Sequence, residues 1–216
     1  SDLILKIIWR YNMKSIYLVR HGESEWNIIK KIQGQKDTQL TPKGLNQAKL
    51  LGKRLKEDNI KIDRIYSSDL TRAYKTAQII AENLNLDVTP MKEFREISFG
   101  IWEGMTNDEI IKNYKKEQIL WRNEPEKLHV KGAETLEELQ KRAMKGINKI
   151  IHQDVKNILV VSHSATLKTI ILGMLGIDLN FFKNLTISNV SLSIIELRDY
   201  NNVLKLFNDT NHLKEN

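Results

Sequence analysis

The chain has 216 residues, 41% of them hydrophobic, and its 34 lysines and arginines against 27 acidic residues give a net charge of +7. This length fits one globular core, since α/β domains run to about 200–250 residues before they divide, and no Gly/Ser-rich stretch marks a linker. The absence of cysteine excludes disulfides, thiolate nucleophiles and Cys-ligated zinc, and it fits a reducing, cytoplasmic setting.

The apolar opening Leu3-Ile4-Leu5-Lys6-Ile7-Ile8-Trp9 is too short to span a bilayer and lacks a small-residue cleavage site, so neither membrane span nor signal peptide is expected. Residues 1–13 are set apart as an N-terminal extension, Met13 being a candidate start, and residues 14–210 are taken as a single domain. Lys14-Ser15-Ile16-Tyr17-Leu18-Val19-Arg20 then reads as a buried strand running into a loop at His21-Gly22. Thr41-Pro42 supplies an N-cap and a proline at the first helical position, with Leu45, Ala48, Leu51 and Leu55 on one face of the helix that follows.

Asp63 to Ser68 predicts a second strand, and Ala73, Tyr74, Ala77, Ile80, Ala81 and Leu84 recur at helical spacing behind it. The stretch 91–131 is less periodic and reads as a covering segment with short helices; Glu134 to Ile151 resumes helical spacing. Asn157-Ile158-Leu159-Val160-Val161-Ser162 is a nearly continuous apolar run, as expected of a strand buried on both faces of a parallel sheet, and a helix over Thr166–Leu175 follows. Val190–Leu197 and Val203–Phe207 pair as an antiparallel hairpin across residues 199–202. The alternation predicts an α/β fold: a three-layer α/β/α sandwich around a mostly parallel mixed sheet.

Three predicted strands end in polar side chains: Arg20-His21, Ser67-Ser68 with Arg72 just beyond, and Ser162-His163. In open α/β sheets ligands bind outside the carboxyl ends of the strands, so these residues are expected to converge. A lone histidine at such a position is commonly structural, whereas two at equivalent strand ends point to chemistry. Arg20 follows an apolar run, where a guanidinium needs an anionic partner, either a structural carboxylate or a bound phosphate. Guanidinium forks around an in-line nucleophile and a proton donor are what phosphoryl transfer requires. The lysines are scattered among acids, with no basic run interleaved with aromatics, so nucleic acid is not expected as a partner and a small anionic phosphoester is.

The ordered set Leu18-Val19-Arg20-His21-Gly22-Glu23-Ser24-Glu25-Trp26-Asn27, Leu40-Thr41-Pro42-Lys43-Gly44, Tyr66-Ser67-Ser68-Asp69-Leu70-Thr71-Arg72-Ala73, Arg95 to Gly104, Gly132-Ala133-Glu134-Thr135 and Val161-Ser162-His163 resembles the histidine phosphatase superfamily, also called phosphoglycerate mutase-like. The resemblance covers residues 14 to 197. It implies that residues 14–210 form a catalytic domain in which His21 attacks phosphorus to give a phosphohistidine. Arg20, Arg72 and His163 would surround the phosphoryl oxygens, Asn27 would donate from the loop, and Gln33 and Gly34 would line the pocket. Glu96 matches the proton donor that later activates water. The resemblance implies no cofactor and no metal, and the chain shows no paired metal-ligand spacing.

Ser164 stands where many members have glycine after the histidine, which leaves the pocket shape open; its hydroxyl either meets substrate or caps the helix. The segment Glu96-Ile97-Ser98-Phe99-Gly100-Ile101-Trp102-Glu103-Gly104 looks like the phosphatase branch, similar to α-ribazole and broad-specificity phosphatases. The chain is therefore expected to be a phosphomonoesterase. A phosphoglycerate mutase is the alternative, and a non-catalytic binding member a third reading. Exposed apolar residues in the last hairpin make a homodimer a candidate assembly.

Overall fold

Lys14 to Arg20 alternates its side chains between two apolar layers and so forms the strand β1 (Lys14–Arg20) at the heart of the sheet in the computed structural model, which describes residues 13–214. The apolar opening Leu3–Trp9 lies outside the described residues. The other strands are β2 (Arg64–Ser67), β3 (Val88–Pro90), β4 (Asn157–Ser162), β5 (Leu192–Leu197) and β6 (Asn202–Asp209), in the spatial order β3-β2-β4-β1-β5-β6. β1, β2, β3 and β4 run parallel, and β5 and β6 add the antiparallel hairpin. The three-layer α/β/α sandwich with a mostly parallel mixed sheet is therefore the observed fold. β3 is the strand the sequence did not announce: three residues ending in Pro90 carry too little pattern, and its pairing with β2 at the sheet edge decides its conformation.

The helices are α1 (Glu25–Ile28), α2 (Pro42–Glu57), α3 (Thr71–Leu84), α4 (Asn107–Asn113), α5 (Lys115–Asn123), α6 (Leu136–Ile151) and α7 (Ser164–Leu175). Ile158 and Val160 of β4 face a core shared with Ile147 and Ile150 of α6 and Leu167, Ile170 and Ile171 of α7. Leu159 and Val161 face the opposite core with Leu51 and Leu55 of α2 and Ala73, Ala77 and Ile80 of α3. Period-two alternation on one strand thus builds both helical layers.

Thr41 caps α2 as expected, its Oγ1 accepting from the Gly44 N–H at 3.0 Å. The buried stripe of that helix begins at Gly44, with Leu45 only half-buried, because the first turn of α2 presses onto the loop after β1. A Cβ on Gly44 would stand 2.1 Å from the Glu23 carbonyl oxygen, and one on Gly22 would stand 2.5 Å from that of Gly44. Helix and loop therefore meet backbone to backbone, which fixes the segment that carries His21. The covering segment forms a third cluster in which Phe99, Trp102, Ile110 and Leu128 pack on Leu136 and Leu139 of α6 and on Ala165 and Leu172 of α7.

Candidate active site

The sheet register brings the strand ends together. β1 and β4 are parallel neighbours with Arg20 beside Ser162, and β2 flanks β4 with Ser67 beside Val161. The next residue on each strand, His21, His163 and Ser68, therefore emerges at one edge. The rings of His21 and His163 lie 5.2 Å apart between centroids, tilted by 57°. His163 Nε2 contacts Ser68 Oγ at 2.9 Å.

His21 is only 2% exposed, and its Nδ1 lies 2.7 Å from the Gly22 carbonyl oxygen. A carbonyl only accepts, so Nδ1 carries the proton and the Nε2 of the neutral ring keeps a free lone pair. Burial holds this imidazole well below its ordinary titration range, the Arg72 and Arg20 charges push it the same way, and the Gly22 hydrogen bond opposes them. His163 is likewise held well below that range, first by burial and then by Arg72, His21 and Arg20. Both rings stay neutral at neutral pH. The acceptor for the Nδ1 proton, which the sequence leaves unnamed, is the carbonyl of the adjacent glycine.

The two arginines are held by carbonyls. Arg20 Nη1 donates to Ile187 O at 2.7 Å, Arg72 Nη1 to Lys36 O at 2.8 Å and Arg72 Nη2 to Gly34 O at 2.7 Å. Among the described residues neither forms an ion pair with a carboxylate, and the buried Nε–H of each has no hydrogen-bond partner. Burial lowers the pKa of Arg20, and it lowers that of Arg72 to about 10, yet both remain cationic at neutral pH. Two desolvated guanidiniums beside two neutral imidazoles are a donor set suited to an anion. Of the two partners open for Arg20 from sequence, the structural carboxylate is absent.

Glu96 reaches the same end of the molecule from the covering segment. Its Oε1 accepts from the N–H groups of Ile97 at 3.0 Å and Thr166 at 3.1 Å and from Thr166 Oγ1 at 3.1 Å, while Oε2 accepts from Ala165 N–H at 3.3 Å. The carboxylate is thus seated on the first turn of α7, immediately after His163. The neighbouring Arg95 pairs with Asp69 instead, at 2.6 and 2.7 Å. Glu96 is therefore not the partner of Arg95.

Asn27 Oδ1 accepts from Ser24 N and Oγ, both at 3.0 Å, and from Asn189 Nδ2 at 3.3 Å, so its amide nitrogen is left to donate. Gln33 Oε1 is used by Ser24 and Thr38, and Gly34 contributes its carbonyl to Arg72. Gln33 and Gly34 thus brace the wall that carries Ser24 and Arg72. Ser164 is the first residue of α7, half-buried, and accepts no capping bond. Among the described residues no group of three His, Asp or Glu side chains is arranged to hold a metal ion.

Two contributors escaped sequence reasoning. Thr166 holds Glu96, and Asn189 Nδ2 donates to the His21 carbonyl at 2.9 Å, tying the loop before β5 to the backbone of His21. Next to it Val190 has φ +51°, costly for a β-branched residue, and is clamped by its N–H to Arg20 O at 3.0 Å and by His212 Nε2 on its own carbonyl at 2.9 Å. An asparagine in a short loop between helix and strand carries no periodic signal, so only the fold shows what it touches.

The family model of the histidine phosphatase superfamily, branch 1, matches residues 16–210. The chain belongs to this superfamily. Phosphoserine phosphatase 1 of Hydrogenobacter thermophilus is 37% identical over 205 residues, covering 94% of this chain and 96% of the relative. The 2,3-bisphosphoglycerate-dependent phosphoglycerate mutase of Buchnera aphidicola is 30% identical over 224 residues, covering 89% and 97%. A mutant phosphoserine phosphatase of Entamoeba histolytica, solved with phosphoserine, superposes with a TM-score of 0.82 at 33% identity, covering 93% of this chain and 100% of that one. A histidine phosphatase fold and a pocket built from the expected histidines and arginines thus occur in one chain.

Proposed function

We propose that this superfamily member is a metal-independent phosphomonoesterase for small phosphorylated metabolites, working through a phosphohistidine on His21. The observation that carries the reading is the neutral His21 ring. Its proton is committed to Gly22 O at 2.7 Å, leaving Nε2 as a nucleophile beside two guanidiniums that have no carboxylate partner. In the first half-reaction the Nε2 lone pair forms a bond to phosphorus while the ester P–O bond breaks, and protonated Glu96 gives its proton to the departing alcohol oxygen. In the second, Glu96 takes a proton from water, the hydroxide attacks phosphorus, the N–P bond breaks and inorganic phosphate leaves with its charge on Arg20, Arg72 and the donors of Asn27 and His163.

Phosphatase-named relatives favour hydrolysis over transfer, and O-phosphoserine is the first substrate to test. The mutase reading rests on the phosphoglycerate mutase relative. No helix among the described residues is long and apolar enough to cross a membrane, and the cytoplasm is the proposed compartment.

The test has two arms. Protein mixed with phosphoserine, denatured in alkali and digested should yield a peptide containing His21 with an added phosphoryl group, and His21→Ala should lose both that adduct and turnover. Wild-type turnover in His21→Ala would overturn the phosphohistidine. The second arm measures free phosphate and 3- to 2-phosphoglycerate interconversion with and without 2,3-bisphosphoglycerate; dominant isomerisation would assign the mutase activity instead.

A further inference from the structure

Lys168 lies one helical turn beyond Ser164 on α7, so the two share a side of the helix that begins at the pocket. Lysines on amphipathic surfaces ordinarily carry their ammonium out to water on a flexible stem. Here Nζ sits 3.7 Å from the ring centroid of Phe182, itself 4% exposed, and among the described residues it has neither a carboxylate nor a hydrogen-bond acceptor as partner. The charges acting on it are those of the pocket, Glu96 attracting and Arg20 repelling, and burial pushes its pKa down to about 8. Lys168 thus follows Ala165, whose N–H seats Glu96, by three residues on the same side of α7, on a different element from the guanidinium pair that suits the phosphoryl oxygens.

We propose that Lys168, seated on Phe182, is the specificity-determining residue for a carboxylate on the alcohol part of the substrate, so that the preferred esters are phosphorylated small acids. A single ammonium with three donors matches one carboxylate. The aromatic face keeps the stem from folding back to solvent and lowers the ordering cost when the anion arrives. This inference rests on the phosphomonoesterase reading and refines its substrate.

O-Phosphoserine and O-phosphoethanolamine differ only in the carboxylate, which makes them the probes. The wild-type protein should show kcat/KM higher for phosphoserine by about tenfold or more, the effect expected of a partly desolvated charged hydrogen bond. In Lys168→Met the ratio should collapse towards one, mainly through a higher KM for phosphoserine, and Lys168→Arg should restore most of it. Discrimination in the wild type should also fall as pH rises past about 8, where the free ammonium is lost. Equal turnover of the two esters by the wild type would overturn the proposal, as would a Lys168→Met variant that slows both alike. Either result leaves phosphate release and the His21 adduct intact, so failure of this inference is distinct from failure of the reading beneath it.

Discussion

The pairing of two buried neutral histidines with two arginines has a consequence for stability that can be worked out from the structure. His21 and His163 are 2% and 0% exposed, and both titrate well below their ordinary range. In the unfolded chain each titrates near 6.5. The native state therefore binds fewer protons than the unfolded state as pH falls through that value, so acid favours unfolding. For a ring that stays neutral in the fold, going from about pH 7.5 to about pH 5.5 removes about 1.4 kcal/mol, and the pair together removes about 3 kcal/mol. Urea unfolding of the wild type, His21→Gln, His163→Gln and the double variant at both pH values measures this. Each single variant should lose about 1.4 kcal/mol of the wild-type pH dependence and the double variant about 3 kcal/mol, His212, whose pKa burial also lowers, accounting for part of the remainder. A wild-type midpoint that does not move between the two pH values, or variants with the same pH dependence as wild type, would refute the claim that these rings are buried in the neutral form.

Glu96→Gln can keep the Oε1 contacts with Ile97 and Thr166 but not the bond from Ala165 N–H, and it loses the transferable proton, lowering kcat by roughly 10²- to 10⁴-fold on esters with poor leaving groups and less on p-nitrophenyl phosphate; equal losses on both would remove Glu96 from proton transfer. Gly34→Ala should destabilise the fold by about 1–3 kcal/mol, read by thermal or urea unfolding. Gly34 has φ +50°, and an added Cβ would stand 2.1 Å from Glu103 Oε1, an oxygen already held by the N–H groups of Gln35 and Phe99. Because Gly34 O also holds Arg72, the same variant should raise KM. Asn189→Ala removes the donor to the His21 carbonyl and should lower kcat by roughly tenfold with a smaller stability loss, an unchanged kcat showing that the tie is dispensable.

What the sequence made legible is what periodicity and strand ends encode. The alternation of Ile158 and Val160 with Leu159 and Val161 announces two helical layers, and Arg20-His21, Ser68 and Ser162-His163 announce the edge where those layers open. β3 and the separation of Glu96 from Arg95 were not legible, because both depend on a partner distant in the chain: β2 for the strand and the first turn of α7 for the carboxylate. Asn189 and Thr166 belong to the same class. Each satisfies a backbone or carboxylate group that only the assembled sheet brings within reach, and Val190 with its positive φ follows Asn189 directly.

The proposed chemistry and the electrostatics then depend on one arrangement. A histidine nucleophile has to be neutral before the substrate arrives, and near neutral pH a free imidazole is partly protonated. Burial first, and then the charges of Arg72 and Arg20, hold His21 neutral, and the same charges are placed to attract the phosphoryl oxygens. If those guanidiniums were paired with carboxylates, as buried arginines commonly are, both contributions would weaken together: the ring would lose part of what keeps it neutral and the anion would lose its seat. Carbonyl anchors at Ile187, Lys36 and Gly34 position the cations without neutralising them. Among the described residues, the lack of an ion pair at Arg20 and Arg72 thus serves the proposed nucleophile and the proposed anion site at once. A carboxylate introduced at Ser68, whose Oγ contacts His163 Nε2 at 2.9 Å, should weaken phosphate binding and raise the pH at which His21 protonates, both in one variant, measurable by phosphate inhibition and by histidine NMR titration. Loss of one effect without the other would separate what this arrangement joins.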